Sequence, residues 1–139
     1  MSAGSVAVVD AWAALAFLRK EGSADTTMRR YFKRAERGGV RLKMSLVNLG
    51  EVYYRMIRLA GLDDADERLR LFRKLPIEMV QVREPLALEA GRIKAQHRLS
   101  FADAFAVAIA RADGGAVLTG DPEILALPRD VVRVIRLER

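Results

Sequence analysis

Residues 5–21 read SVAVVDAWAALAFLRKE, and this stretch decides the fold class. Its first five residues, SVAVV, are an apolar, β-branched run of the length of a buried strand. Asp10 stops the run, residues 11–21 are rich in helix formers, and Gly22 closes them. The same alternation continues outward. A basic segment, residues 25–37, reads as a helix closed by Gly38-Gly39, and VRLKM (40–44) reads as a strand with one wet face. Ser45 is an N-cap for a long helix reaching Leu59, with Gly61 just past its end. Asp63-Asp64 open a helix to about Lys74. IEMVQV (77–82) is a strand, and Pro85 sits near N1 of a helix to about His97. Ser100 caps a helix over 101–112, AVLT (116–119) is a short buried strand, and Asp121-Pro122 opens a short helix. VVRVIRL (131–137) is a last strand, expected at an edge. Strands separated by helices favour parallel pairing through right-handed crossovers. The expected fold is α/β, a three-layer α/β/α sandwich around a parallel sheet.

Composition bounds what such a domain does. The 139 residues suit one domain, taken as residues 1–139, without a linker or repeat. With 51% hydrophobic and 30% charged residues, the chain has enough apolar surface to fold rather than remain disordered. The absence of cysteine excludes disulfides and thiolate chemistry, and a single histidine excludes multi-histidine metal sites. A net charge of +6 favours an anionic partner. The apolar run 11–18 is too short to span a membrane, and positive charge follows it rather than precedes it. The chain therefore reads as soluble and cytoplasmic.

Four carboxylates stand out by position. Asp10 follows the first strand, Glu51 lies about a turn and a half into the helix after the second, and Asp103 opens an otherwise apolar helix. Asp121 follows AVLT after one glycine. In an open parallel sheet the strand exits share one edge, where ligands bind. The helix 101–112 runs antiparallel to the strand it feeds, so its start returns to that edge. Asn48 lies three residues before Glu51, on the same helix face. Such a gathering of like charge is relieved by a hard cation. An all-oxygen donor set suits Mg²⁺ or Mn²⁺, which can activate water for in-line attack on phosphorus. Capping accounts for the same residues one at a time: Asp10 and Asp121 as N-caps, and Ser100 with Asp103 as a capping box. It does not account for Glu51, in mid-helix among Val47, Leu49, Val52 and Tyr53.

The segments VVDAWAAL, SLVNLGEVYY, LSFADAFAVAIA and VLTGDPEIL resemble, in order and spacing, the motifs of PIN-domain ribonucleases, and the chain's size resembles VapC-type toxins of toxin–antitoxin pairs. The resemblance implies an α/β/α fold, Mg²⁺- or Mn²⁺-dependent RNA cleavage, and neutralisation by a small antitoxin. It makes Asp10, Glu51, Asp103 and Asp121 the catalytic, metal-binding acids, with Asn48 and Thr119 as supporting polar residues. Asn48 in place of a hydroxyl, and Gly50 directly before Glu51, depart from the family pattern.

Other features carry two readings each. Arg29, Arg30, Lys33, Arg34 and Arg37 share one side of the second helix, as an RNA-tracking surface or as a solvated face. Apolar residues of the helices around 53–59 and 62–72 read mainly as core, with a minority facing a homodimer partner or the antitoxin. His97 reads as a surface residue at a helix C-terminus, and Trp12 as packing behind the first acid. Competing functions are a receiver-type phosphoacceptor and a non-catalytic RNA- or protein-binding module on a PIN scaffold. The first needs an acidic pair and a late lysine that VVDAW and VVRVIRL do not offer. A dehalogenase-type phosphatase needs Asp-x-Asp, where this chain has Asp-Ala-Trp.

Overall fold

The first strand, β1 (Val6–Val9), is buried along its whole length, and it lies at the centre of the sheet. The computed structural model describes residues 5–139. After β1 come α1 (Ala11–Leu18), α2 (Gly22–Glu36), β2 (Arg41–Ser45), α3 (Leu46–Ala60), α4 (Leu62–Phe72), β3 (Ile77–Val80) and α5 (Glu84–Gln96). The chain continues through α6 (Phe101–Ala112), β4 (Ala116–Thr119), α7 (Pro122–Leu125) and β5 (Arg133–Arg136). The five strands are all parallel in the order β3-β2-β1-β4-β5, which is the expected α/β/α sandwich. β5 is an edge strand, as its sequence suggests, and so is β3.

Alternation along the strands assigns the two layers. Ala7 and Val9 of β1, with Leu42 and Met44 of β2 and Leu118 of β4, face a core built with α1, α2, α3 and α4. Val6, Val8 and Val117 face the other core, built with α5 and α6. Helix α6 is buried from Asp103 to Ala110, which explains its run of alanines: small side chains let it lie close on the sheet. At its end Gly115 makes the turn into β4, where a Cβ would fall 2.3 Å from the Val6 carbonyl oxygen. Only glycine permits that approach.

Several boundaries differ from the sequence reading. Helix α1 stops at Leu18 because Lys20 takes a left-handed φ of 54°, and the Glu21 amide bonds back to the Ala16 carbonyl at 2.8 Å. This is a Schellman-type ending with lysine where glycine is usual. Helix α2 then starts at once at Gly22 rather than at Asp25. Strand β3 pairs only through Val80, opposite Ser45, because β2 gives way to α3 there and leaves no partner for Gln81 and Val82. Leu49, Val52 and Met56 of α3 and Ala65 and Phe72 of α4 are core, while Leu59, Leu62 and Leu71 are exposed. His97 is the half-buried C-cap residue of α5. Among the described residues, no helix is long and apolar enough to cross a membrane.

Candidate functional site

Parallel strands leave the sheet on one edge, and here β1 and β4 are direct neighbours, with Val9 opposite Leu118. Asp10 and the Thr119-Gly120-Asp121 turn therefore emerge side by side. The Asp10 carboxylate is fully buried. Its Oδ1 accepts the Ala13 amide at 2.8 Å, and its Oδ2 accepts the Thr119 hydroxyl. The same Thr119 oxygen accepts the Asp121 amide at 2.9 Å. Asp121 in turn caps α7, its Oδ1 accepting the Glu123 amide at 2.8 Å. One hydrogen-bonded chain thus runs from the first acid to the last. Behind it Trp12 packs on Gly120, where a Cβ would lie 2.4 Å from the indole ring.

The other acids reach the same edge on helices. Ser45 caps α3, its hydroxyl accepting the Asn48 amide at 3.1 Å, and Ser100 caps α6 in the same way, accepting the Asp103 amide at 3.1 Å. Asp103, Asp121 and Glu51 line one cleft of about 540 Å³ together with Tyr54, Arg55 and Glu123. Asp10 lies behind that cleft rather than on its wall. Capping and clustering are therefore not alternatives here, since Asp10 and Asp121 do both.

Burial and mutual repulsion act on the cluster. Asp10 is pushed up to about 8, chiefly by burial, against the pull of the Thr119 and Ala13 hydrogen bonds. The charges of Asp103 and Asp121 add to the rise. Asp103 is pushed up to about 7, first by burial and then by Asp121, with a further contribution from Glu51 and an opposing hydrogen bond from Ser100. Without a cation, then, the site retains protons at neutral pH.

The donor set suits a hard cation. Asp103, Asp121 and Glu123 each offer an oxygen within 4.8 Å of the others. Glu51 has one oxygen 3.2 Å from the Arg55 guanidinium, while its Oε1 is buried with no hydrogen-bond partner in the protein. Asn48, fully buried, donates from Nδ2 to the Ala102 carbonyl at 3.1 Å, tying α3 to α6, and its Oδ1 is likewise without a partner. Unsatisfied buried oxygens are rare and need an explanation. Two of the three such oxygens among the described residues lie on α3, the third being Glu21 Oε1.

Glu123 is the residue that the sequence reading missed. The signal was there as an acid two residues after Asp121, but in Asp-Pro-Glu it reads as helix-dipole compensation in the first turn. Arg29, Arg30, Lys33 and Arg34 are exposed on α2 and are not brought to the cleft. That half of α2 leads through Gly38-Gly39 to the start of β2, the sheet edge opposite the acids. Arg29 is paired with Asp25 at 3.1 Å, and Arg34 lies over the Tyr31 ring at 4.9 Å.

A family model described as the PIN domain matches residues 7–130. Comparison with curated proteins finds no match. Among solved structures the chain is similar to VapBC2 from Rickettsia felis bound to a DNA fragment from its promoter, with TM-score 0.75, 12% identity, and coverage of 96% of this chain and 99% of that one. It is also similar to DNA-bound VapBC from Salmonella typhimurium, with TM-score 0.75, 15% identity, and coverage of 95% and 98%. A third is Mycobacterium tuberculosis VapC20, a toxin that cleaves the sarcin-ricin loop, with TM-score 0.69, 19% identity, and coverage of 86% and 93%. At these identities the likeness is one of fold.

Proposed function

Since the chain belongs to the PIN-domain family, whose model spans residues 7–130, we propose that it is a divalent-metal-dependent endoribonuclease and the toxin of a toxin–antitoxin pair. Residues 1–139 act in this reading as a single nuclease unit, of which the structure describes 5–139. The observation that carries the proposal is the cleft at the strand exits, where oxygens of Asp103, Asp121 and Glu123 lie within 4.8 Å of one another beside an unpaired Glu51 oxygen.

Asp103, Asp121 and Glu123 would hold Mg²⁺ or Mn²⁺, with Glu51 completing the wall. When bound, the ion would supply charge neutralisation and acidify a water so that its deprotonated form can attack phosphorus in line. The chain's own residues do the rest. Asp10 and Thr119 fix the Asp121 backbone through the hydrogen-bonded chain, so the last acid is pre-positioned. Asn48 sets the distance between α3 and α6, and with it that between Glu51 and Asp103. The raised affinities of Asp10 and Asp103 for protons keep the empty cluster from repelling itself apart.

Structural neighbours solved as toxin–antitoxin assemblies support an antitoxin as partner. The exposed Leu62 and Leu71 on α4 suit a protein interface, with a second copy of the chain as the proposed homodimer partner.

The test is cleavage of single-stranded RNA by the purified chain with Mn²⁺ and with EDTA. Wild type cleaves only with the metal. Asp103→Asn loses at least 100-fold of that rate while its thermal unfolding stays cooperative. Undiminished cleavage by both Asp10→Asn and Asp103→Asn overturns the assignment. Expression that arrests growth, relieved by co-expressing the adjacent small reading frame, checks the toxin role.

A further inference from the structure

The acidic cleft does not end at Glu51. A second groove of about 410 Å³ runs between α1 and α3, lined by Leu15, Arg19, Tyr54, Arg55, Arg58 and Leu59. Tyr54 and Arg55 line both depressions, so the two meet across these residues. Their charges are opposite. The cleft wall carries four acids and one cation, Arg55, whereas the groove wall carries three arginines and no acid. Arg58 lies seven residues along α3 from Glu51, about 10 Å by helix rise.

These side chains are available. Arg55 and Arg19 are half exposed and held only by neighbouring carboxylates, at 3.2 Å to Glu51 and 3.8 Å to Glu21. Arg58 lies 4.8 Å from the centre of the Tyr54 ring, and 43% of Tyr54 is open to solvent. A cation stacked on an exposed aromatic ring is the arrangement that binds a single strand, with charge for the phosphates and a flat face for a base.

We propose that the RNA strand enters or leaves the acidic cleft along the α1–α3 groove, with Arg19, Arg55 and Arg58 on its phosphates and Tyr54 stacked against a base. The proposal rests on the nuclease reading of the neighbouring cleft. Its physical basis is local: a phosphodiester bond held among four carboxylates needs cations on the flanking phosphates, and this groove adjoins the cleft, whereas the basic face of α2 does not. An acidic peptide would meet the same arginines but has no use for an open ring directly beside the cleft.

The experiment measures binding of a fluorescent single-stranded oligouridylate by anisotropy across a salt series, in an Asp103→Asn background so that the RNA stays intact. Arg19→Ala with Arg58→Ala should weaken binding roughly 10-fold or more and flatten the slope of log K against log salt by about 1.4, two phosphates' worth for a single strand. Tyr54→Leu should weaken binding roughly 10-fold with no change in slope. Removing the same two charges from α2, with Arg30→Ala and Lys33→Ala, separates a groove from a response to net charge, and equal flattening by both pairs overturns the proposal. So does an unchanged slope for the groove pair. Loss of binding to a polyglutamate peptide with RNA binding intact overturns it in favour of an acidic protein segment. Wild-type cleavage with Mn²⁺, measured alongside, keeps the two readings apart. Cleavage with an unmoved salt slope sinks the groove alone. A moved slope without cleavage sinks the nuclease and leaves the groove as an RNA site.

Discussion

Replacing Asp10 with asparagine should stabilise the metal-free protein. The folded chain holds the Asp10 proton up to about pH 8, whereas the ordinary carboxyl releases it near 3.8. A group whose affinity for protons rises on folding favours the folded state at low pH and loses that benefit as pH climbs through the interval. Each pH unit is worth about 1.4 kcal/mol. The full span comes to on the order of 5 kcal/mol, of which on the order of 4 is already lost at pH 7. Asparagine does not titrate, so it escapes the loss. Its carbonyl can still accept the Ala13 amide, and its amide can donate to Thr119, as the protonated acid would. The Thr119 hydrogen must then find another acceptor, at a cost of about 1–3 kcal/mol. The net expectation is a variant about 2–4 kcal/mol more stable than wild type near pH 8, with the difference closing toward pH 5. Urea unfolding in EDTA, from pH 5 to 8.5, measures it. The variant's profile should slope about half as steeply, because Asp103, pushed up to about 7, still titrates. Adding Mn²⁺ at pH 8 should raise the midpoint of both proteins, because Asp103, Asp121 and Glu123 are intact in each. Parallel profiles in EDTA, or a variant less stable at every pH, would refute the account of Asp10 as a buried acid carrying a proton.

Thr119→Val keeps the shape of the side chain but removes the partner of Asp10 Oδ2 and of the Asp121 amide. It should cost about 1–3 kcal/mol in urea unfolding and steepen the pH profile, since the bond it removes draws Asp10 down. Gly120→Ala would drive a Cβ to 2.4 Å from the Trp12 ring. It should destabilise by about 1–3 kcal/mol and red-shift the emission of Trp12, the chain's one tryptophan. An unshifted spectrum would mean that the ring does not pack there. Glu123→Gln should weaken Mn²⁺ binding in calorimetry by roughly 10-fold with unfolding unchanged, because its side chain is exposed. Unaltered affinity would remove Glu123 from the donor set.

Much of this architecture is written locally. SVAVV and AVLT are short, largely apolar runs bounded by an acid or a glycine, the pattern of strands buried on both faces. Their exits carry Asp10 and Asp121, so the common edge of those acids follows once the strands are neighbours. What escapes is whatever depends on side-chain direction. The spacing of Glu51 puts it on the right turn of α3 but does not show that Arg55 occupies one of its oxygens and leaves the other bare. Tyr53 and Tyr54 look alike in sequence, yet the first is half-buried and bonds Asp66, while the second opens onto the cleft. The arginines of α2 form a clear cluster along the chain, but the direction of the helix carries them to the opposite edge. Glu123 is hidden because an acid in a first helical turn has a sufficient local reason to be there.

The bond between Thr119 and Asp10 joins residues 109 positions apart, and β1 waits for β4 to be made before its second side is filled. Pairings of such separation form late, because the intervening loop must close first. On a ribosome β1 thus emerges long before β4 fills its second side, and β4 in turn waits for β5. The acids cannot be drawn together until the chain has been synthesised through Asp121 and Glu123. The cleft is thus among the later parts of the domain to be assembled.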